Sequence, residues 1–243
     1  MGRRWLWLAA GFCLLLAAPA AAQEISLNLG DDASLAGRSI QLIALITVLS
    51  LVPGLAIMVT CFPFIVTVLS ILRQAIGLQQ SPPNMLIVSL AMFLTYFVME
   101  PTFTRAWAEG VQPLMNGQTD VTAALQATIA PFRAFMAARL DPATFETMRA
   151  LRPGLPAGLT PVDAPLSLVM PSFLLSEIQR AFEIGFLIYL PFLIIDLVVA
   201  AVLMSMGMMM VPPAIVSMPF KLAFFVVANG WTLIASALVR SYN

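Results

Sequence analysis

Between Arg38 and Arg73 the chain carries no charged residue. As one α-helix that stretch would run roughly 50 Å at about 1.5 Å per residue, against about 30 Å of hydrocarbon in a bilayer. It also contains Pro53-Gly54 and Pro63. Proline inside a helix removes a backbone hydrogen bond and crowds the preceding turn. The pattern therefore predicts a broken helix or a tight pair of helical pieces rather than one straight span. Composition agrees: 60% of the 243 residues are hydrophobic and 10% are charged, where a soluble domain carries about a quarter. Most of the surface is expected to face lipid or other protein.

Charge spacing divides the rest of the chain. Residues 1–22 have the parts of a secretory signal peptide: Arg3 and Arg4, an apolar stretch from Trp5 to Ala18, and Ala20-Ala21-Ala22 before Gln23. The alternative is a retained N-terminal helix, for which that stretch is short. Cleavage would leave the mature N-terminus outside the cytoplasm, as suits a bacterial inner-membrane protein. A polar leader, 23–37, holds Glu24, Asp31 and Asp32. Residues 38–99 are read as apolar helices, with a second uncharged run from Met85 to Met99 after the turn-like 81–84.

Charges then crowd into 100–183, along with Pro-, Gly- and Thr-rich connections. This region is read as an extramembrane helical insertion on the periplasmic side. Within it Val121 to Arg139 is expected to be helical and kinked at Pro131. A helix from Ala143 to Leu151 is expected to start at Asp141-Pro142, since Asp caps well and Pro suits the first turn. Residues 152–158 read as a loop. Residues 184–243 form a C-terminal helical hairpin around a methionine-rich loop. The predicted class is all-α, an integral membrane or membrane-derived helical assembly with broken hairpins. Hydropathy counts about four spans with the N-terminus outside.

Much chemistry is excluded. The chain has no histidine, which removes the commonest general base, the standard triads and the usual zinc and copper(II) ligand sets. No GxxxxGK[ST] loop is present. The last two apolar blocks supply one carboxylate, Asp196, where acid chemistry would want two. Neither enzymatic activity nor a cofactor is expected. Net charge is zero and no basic tract occurs, so nucleic acid is not an expected partner. Of two cysteines, Cys13 leaves with the signal peptide, and Cys61 alone cannot form an intrachain disulfide.

Three features remain. Asp196 and Lys221 are charges inside apolar blocks, so each needs a partner or water. Either they pair, within the hairpin or between subunits, or Lys221 snorkels to the interface while Asp196 lines a wet cavity. Glu177, Arg180 and Glu183 follow helical spacing with alternating sign, which fits a contact site or simply a solvated face. The stretch MSMGMMMVPP, 204–213, concentrates methionine. Its thioethers could bind copper(I), as in a small-solute or copper(I) transporter, or could close a hole of variable shape. They could also merely replace leucine in a buried turn. Gly207 can take backbone conformations others avoid and reads as a hinge, while Pro212-Pro213 stops a helix running through. These two favour closure.

Three stretches carry a resemblance: PSFLLSEIQRAFEIG at 171–185, PFLIIDLVVA at 191–200, and GMMMVPP at 207–213 leading into PFKL at 219–222. Together they resemble the FliP family of flagellar biosynthetic proteins, over roughly residues 40–240. Related injectisome subunits share much of the pattern. The resemblance implies a cleaved signal peptide and a homo-oligomeric ring with two smaller export-gate membrane subunits. It further implies a large export-gate protein and the basal-body ring as neighbours, at the inner membrane of the flagellar basal body. Unfolded flagellar substrates would pass through its channel. The family's methionine loop would correspond to Met208, Met209 and Met210, flanked by Met204 and Met206. Subunit-contact positions would correspond to Phe135, Phe145 and Glu177.

Overall fold

The computed structural model describes residues 35–77, 82–156, 158–208 and 210–242. Residues 1–22, read above as a signal peptide, the leader up to residue 34 and Met209 lie outside them. The described residues are all-α, as expected. The chain divides into two units, 1–48 and 49–243.

The uncharged stretch is a pair of helices, α1 (Leu35–Met58) and α2 (Phe62–Ile76). The break falls at 59–61 rather than at Pro53, which α1 carries internally. Pro63 sits in the first turn of α2, where a missing N–H costs nothing. Gly77 ends α2 in the left-handed conformation, φ 87°, its N–H donating to the Gln74 carbonyl at 3.0 Å. Then come α3 (Asn84–Ala106), a π-helical stretch (Trp107–Val111), α4 (Gln112–Met115), α5 (Val121–Arg139) and α6 (Pro142–Ala150). Three further helices close the chain: α7 (Leu166–Ser205), α8 (Pro213–Val227) and α9 (Gly230–Arg240). Helix α5 continues through Pro131. Asp141 caps α6 as expected, accepting from the Thr144 N–H and hydroxyl at 2.8 Å each. Those bonds hold its carboxyl below the ordinary value.

Helix α2 is the centre of the larger unit. Phe64, Ile65, Val68, Leu69 and Leu72 are buried among Ile87, Ala91 and Met99 of α3, Ala181 and Phe192 of α7, and Phe225 of α8. Its closest neighbour is α7, and Gly185 makes that approach possible. A Cβ there would lie 2.4 Å from Ile71 Cδ1 and 3.3 Å from its Cβ. A second cluster gathers Met136, Leu140, Phe145, Leu168, Val169 and Phe173 where α5, α6 and α7 meet.

Among the described residues, four stretches are long and apolar enough to cross a membrane: Ile40–Met58, Asn84–Met115, Val121–Arg139 and Leu166–Ser205. The pair α8 and α9, bent by 61° with Asn229 left-handed at the break, makes a fifth if taken as one span. Helix α5, which lies in the region read as extramembrane, thus meets the same test. The boundaries drawn at 99/100 and 183/184 both fall inside helices, α3 and α7. On α7 the charged Glu177 and Arg180, just before the second boundary, find partners within the chain.

Candidate functional site

Helices α7 and α8 form a hairpin, and buried charge locks it. Lys221 Nζ lies 2.6 Å from Asp196 Oδ2 and donates to the Ala75 carbonyl at 3.2 Å. Ser217, fully buried one turn before Lys221, donates to Asp196 Oδ1 at 2.5 Å. The two charges stand at nearly equal helical distances from the loop, which brings them level when the helices fold back. Lys221 is 4% exposed, so the ammonium neither reaches water nor snorkels. The pairing left open by the sequence is intrachain here. It also reaches a third helix: Ala75 belongs to the last turn of α2, whose unpaired carbonyls favour a cation.

The loop between the helices is held at its start by backbone hydrogen bonds. Gly207 takes φ 75°, and its N–H donates to the Met204 carbonyl at 3.1 Å. The Met208 N–H reaches back to the Leu203 carbonyl at 3.0 Å. These two bonds around a left-handed glycine close off the end of a helix. Pro212 and Pro213 then start α8, where Pro213 pre-sets the first turn. Met204 and Met206 are exposed, Met208 is 42% exposed and Met210 97%. Beneath the loop lies an apolar groove of about 560 Å³, lined by Val199, Val202, Leu203, Val216, Phe220 and by Met206 and Met208 among others.

Of the positions expected to touch neighbouring subunits, Glu177 and Phe145 are buried within this chain and Phe135 is half-buried. Glu177 is 0% exposed. Its Oε1 meets Arg139 Nε at 3.3 Å and Arg180 Nη1 at 3.7 Å, and its Oε2 accepts from the Tyr242 hydroxyl. Burial and the neighbouring carboxylate push that hydroxyl up from its ordinary value, so it stays a donor. The Arg139 guanidinium lies 4.0 Å from the Tyr242 ring centroid and gives Nη1–H to the Ser241 carbonyl at 2.7 Å. Phe135 stacks on Tyr242 and meets Phe173 edge-on. Phe145 is buried in the second cluster. So the Glu177 carboxylate is engaged by partners in its own chain and is not part of a solvated face. Glu183 alone of that triad sits on the exposed face, accepting from Gln179 at 3.0 Å. Sequence reasoning did not find Arg139, Ser217 or Tyr242.

Comparison with known proteins decides the family. The model of the FliP family matches residues 45–238. The flagellar biosynthetic protein FliP of Caulobacter vibrioides is 50% identical over 237 residues, 97% of this chain and 89% of that one. Those of Agrobacterium fabrum and Bacillus subtilis are 47% and 42% identical, covering 95% and 90% of this chain and 96% and 98% of theirs. The chain belongs to the FliP family.

As a FliP-family chain it is a flagellar biosynthetic membrane protein. The family match contains the charge lock, the methionine loop, Phe135, Phe145 and Glu177. Tyr242, which completes the Glu177 cluster, lies just beyond it. Among the described residues no group of three or more His, Cys, Asp or Glu side chains is placed to hold a metal ion.

Proposed function

We propose that this chain is a subunit of the flagellar protein export gate, in which its methionine loop forms the compliant seal of a channel. It works in the bacterial inner membrane at the basal body, as a homo-oligomer with two smaller membrane subunits. A large export-gate protein and the basal-body ring adjoin it, and unfolded flagellar proteins pass through. Part of 100–183 faces the periplasm. Its role is to pass and to seal, not to catalyse. One observation carries the reading: exposed, unbranched thioethers stand at the tip of a hairpin whose base is fixed by a buried Lys221–Asp196 pair. A channel for polypeptide must admit side chains of every size yet leak few ions. Methionine has three rotatable bonds and repacks easily, so a ring of such side chains can part and close again. Glu177, Phe135 and Phe145 serve assembly by holding α5, α6 and α7 in the shape presented to neighbours.

Ion conductance tests it. Replacing Met208, Met209 and Met210 together by alanine removes side-chain volume, so the assembly should leak ions and cells should lose membrane potential. Triple leucine restores bulk with a stiffer side chain, so sealing should survive while export slows. Copper(I) transport predicts that leucine is as damaging as alanine, because both lack sulfur. A triple alanine variant as tight as wild type would refute the seal.

A further inference from the structure

We infer that the loop has a fixed part and a free part: Gly207 and Met208 clamp its start onto α7, and Met210, beyond the clamp, is the side chain held out to move. This rests on the seal proposed above and assigns different jobs within it. The two bonds from Gly207 and Met208 to the Met204 and Leu203 carbonyls tie the loop to the last turn of α7. Met208 and Leu203 line the same groove, the apolar contact that accompanies this kind of helix end. Past Met208 the tie weakens, with the Val211 N–H 3.4 Å from the Met208 carbonyl, until Pro212 and Pro213 fix the start of α8. Met210 lies in that interval and is 97% exposed. Gly207 is then a clamp and not a hinge. A seal that moved at its base would lose its place in the channel each time a chain passed.

Gly207 offers a clean test, because a Cβ there would meet nothing within 4 Å. Substitution acts through backbone conformation alone. Asparagine adopts the left-handed region readily, whereas a β-branched residue there is an outlier. The full chain is expressed in cells carrying the other flagellar genes but lacking their own copy of this one. Ion leak is read from membrane potential, and export from the rate of flagellar substrate release. Gly207→Val should raise the leak about tenfold, and Gly207→Asn should stay within about twofold of wild type. Met208→Leu should keep the seal and slow export less than Met210→Leu does, since a clamp needs only apolar bulk. Met210→Leu should keep the seal and slow export several-fold. Equal leaks in Gly207→Val and Gly207→Asn, or equal slowing by the two leucines, would overturn the division. If Gly207→Val fails to accumulate in the membrane, the two leucines decide. A leaking triple alanine beside indistinguishable single leucines sinks the division and leaves the seal standing, whereas a tight triple alanine sinks both.

Discussion

Lys221 is an expensive residue to place. A lysine ammonium removed from water costs several kcal/mol, and here Asp196 and the Ala75 carbonyl must offset it. Removing one partner of such a pair leaves the other buried without compensation. Lys221→Met should therefore lower stability by about 3 kcal/mol, the lower end of the range for buried pairs, because Asp196 is partly exposed. The double variant Asp196→Asn with Lys221→Met should recover at least half of that loss. Thermal unfolding in mild detergent reads both, and strictly additive losses would mean that the pair is not coupled. The sequence made these two residues conspicuous because charges are rare inside apolar blocks. Tyr242 had no such mark. It meets Glu177 from 65 positions away, a distance that helical periodicity says nothing about. Glu177 looked like one member of a surface stripe because its spacing suits a solvated face as well as a buried one. Only the arrival of Arg139 on α5 settles which it is.

At the scale of elements, the α2–α7 contact depends on what Gly185 lacks. Gly185→Val would drive methyl groups into Ile71, and overpacking of this kind typically costs about 1–3 kcal/mol. Ile71→Ala combined with Gly185→Val should be more stable than Gly185→Val alone, although Ile71→Ala by itself removes good packing. Unfolding midpoints of the three variants check this, and no rescue would show that the clash is relieved by helix movement instead. Element starts and stops were largely legible. Asp141-Pro142, Pro63 and the loop from 152 act through local backbone chemistry, which a sequence shows directly. Region boundaries were less so. Charge spacing does not mark a helix end here: α7 runs unbroken from charged to uncharged residues, with Glu177 turned inward to meet Arg139 of α5. The break between α1 and α2 was foreseen, but not its position, since proline at 53 is carried within α1.

For the whole molecule, the question is which apolar surfaces meet lipid. Helix α7 has 40 residues and extends about 60 Å, twice the hydrocarbon thickness, so one end must project beyond any membrane that the other end enters. Leu125 on α5 and Leu197 on α7 are similarly exposed on the chain, so a difference in their reactivity reports surroundings and not burial. With a membrane-impermeant maleimide, Leu125→Cys should label from the periplasmic side and Leu197→Cys should not. Cys61 is fully buried and gives little background. Equal labelling would remove the periplasmic insertion from the account. Helix α2 bears, finally, on how such a chain can be made. With 15 residues it extends about 22 Å, too little to cross a bilayer on its own. The helix that covers it follows about a hundred residues later, and synthesis proceeds at about 5–20 residues per second. For some seconds, then, each newly made α2 is an apolar helix without a full membrane crossing and with α3 alone to pack against. The insertion machinery must shelter it until α7 leaves the ribosome, and a chain whose translation stops in between is a natural substrate for membrane proteases.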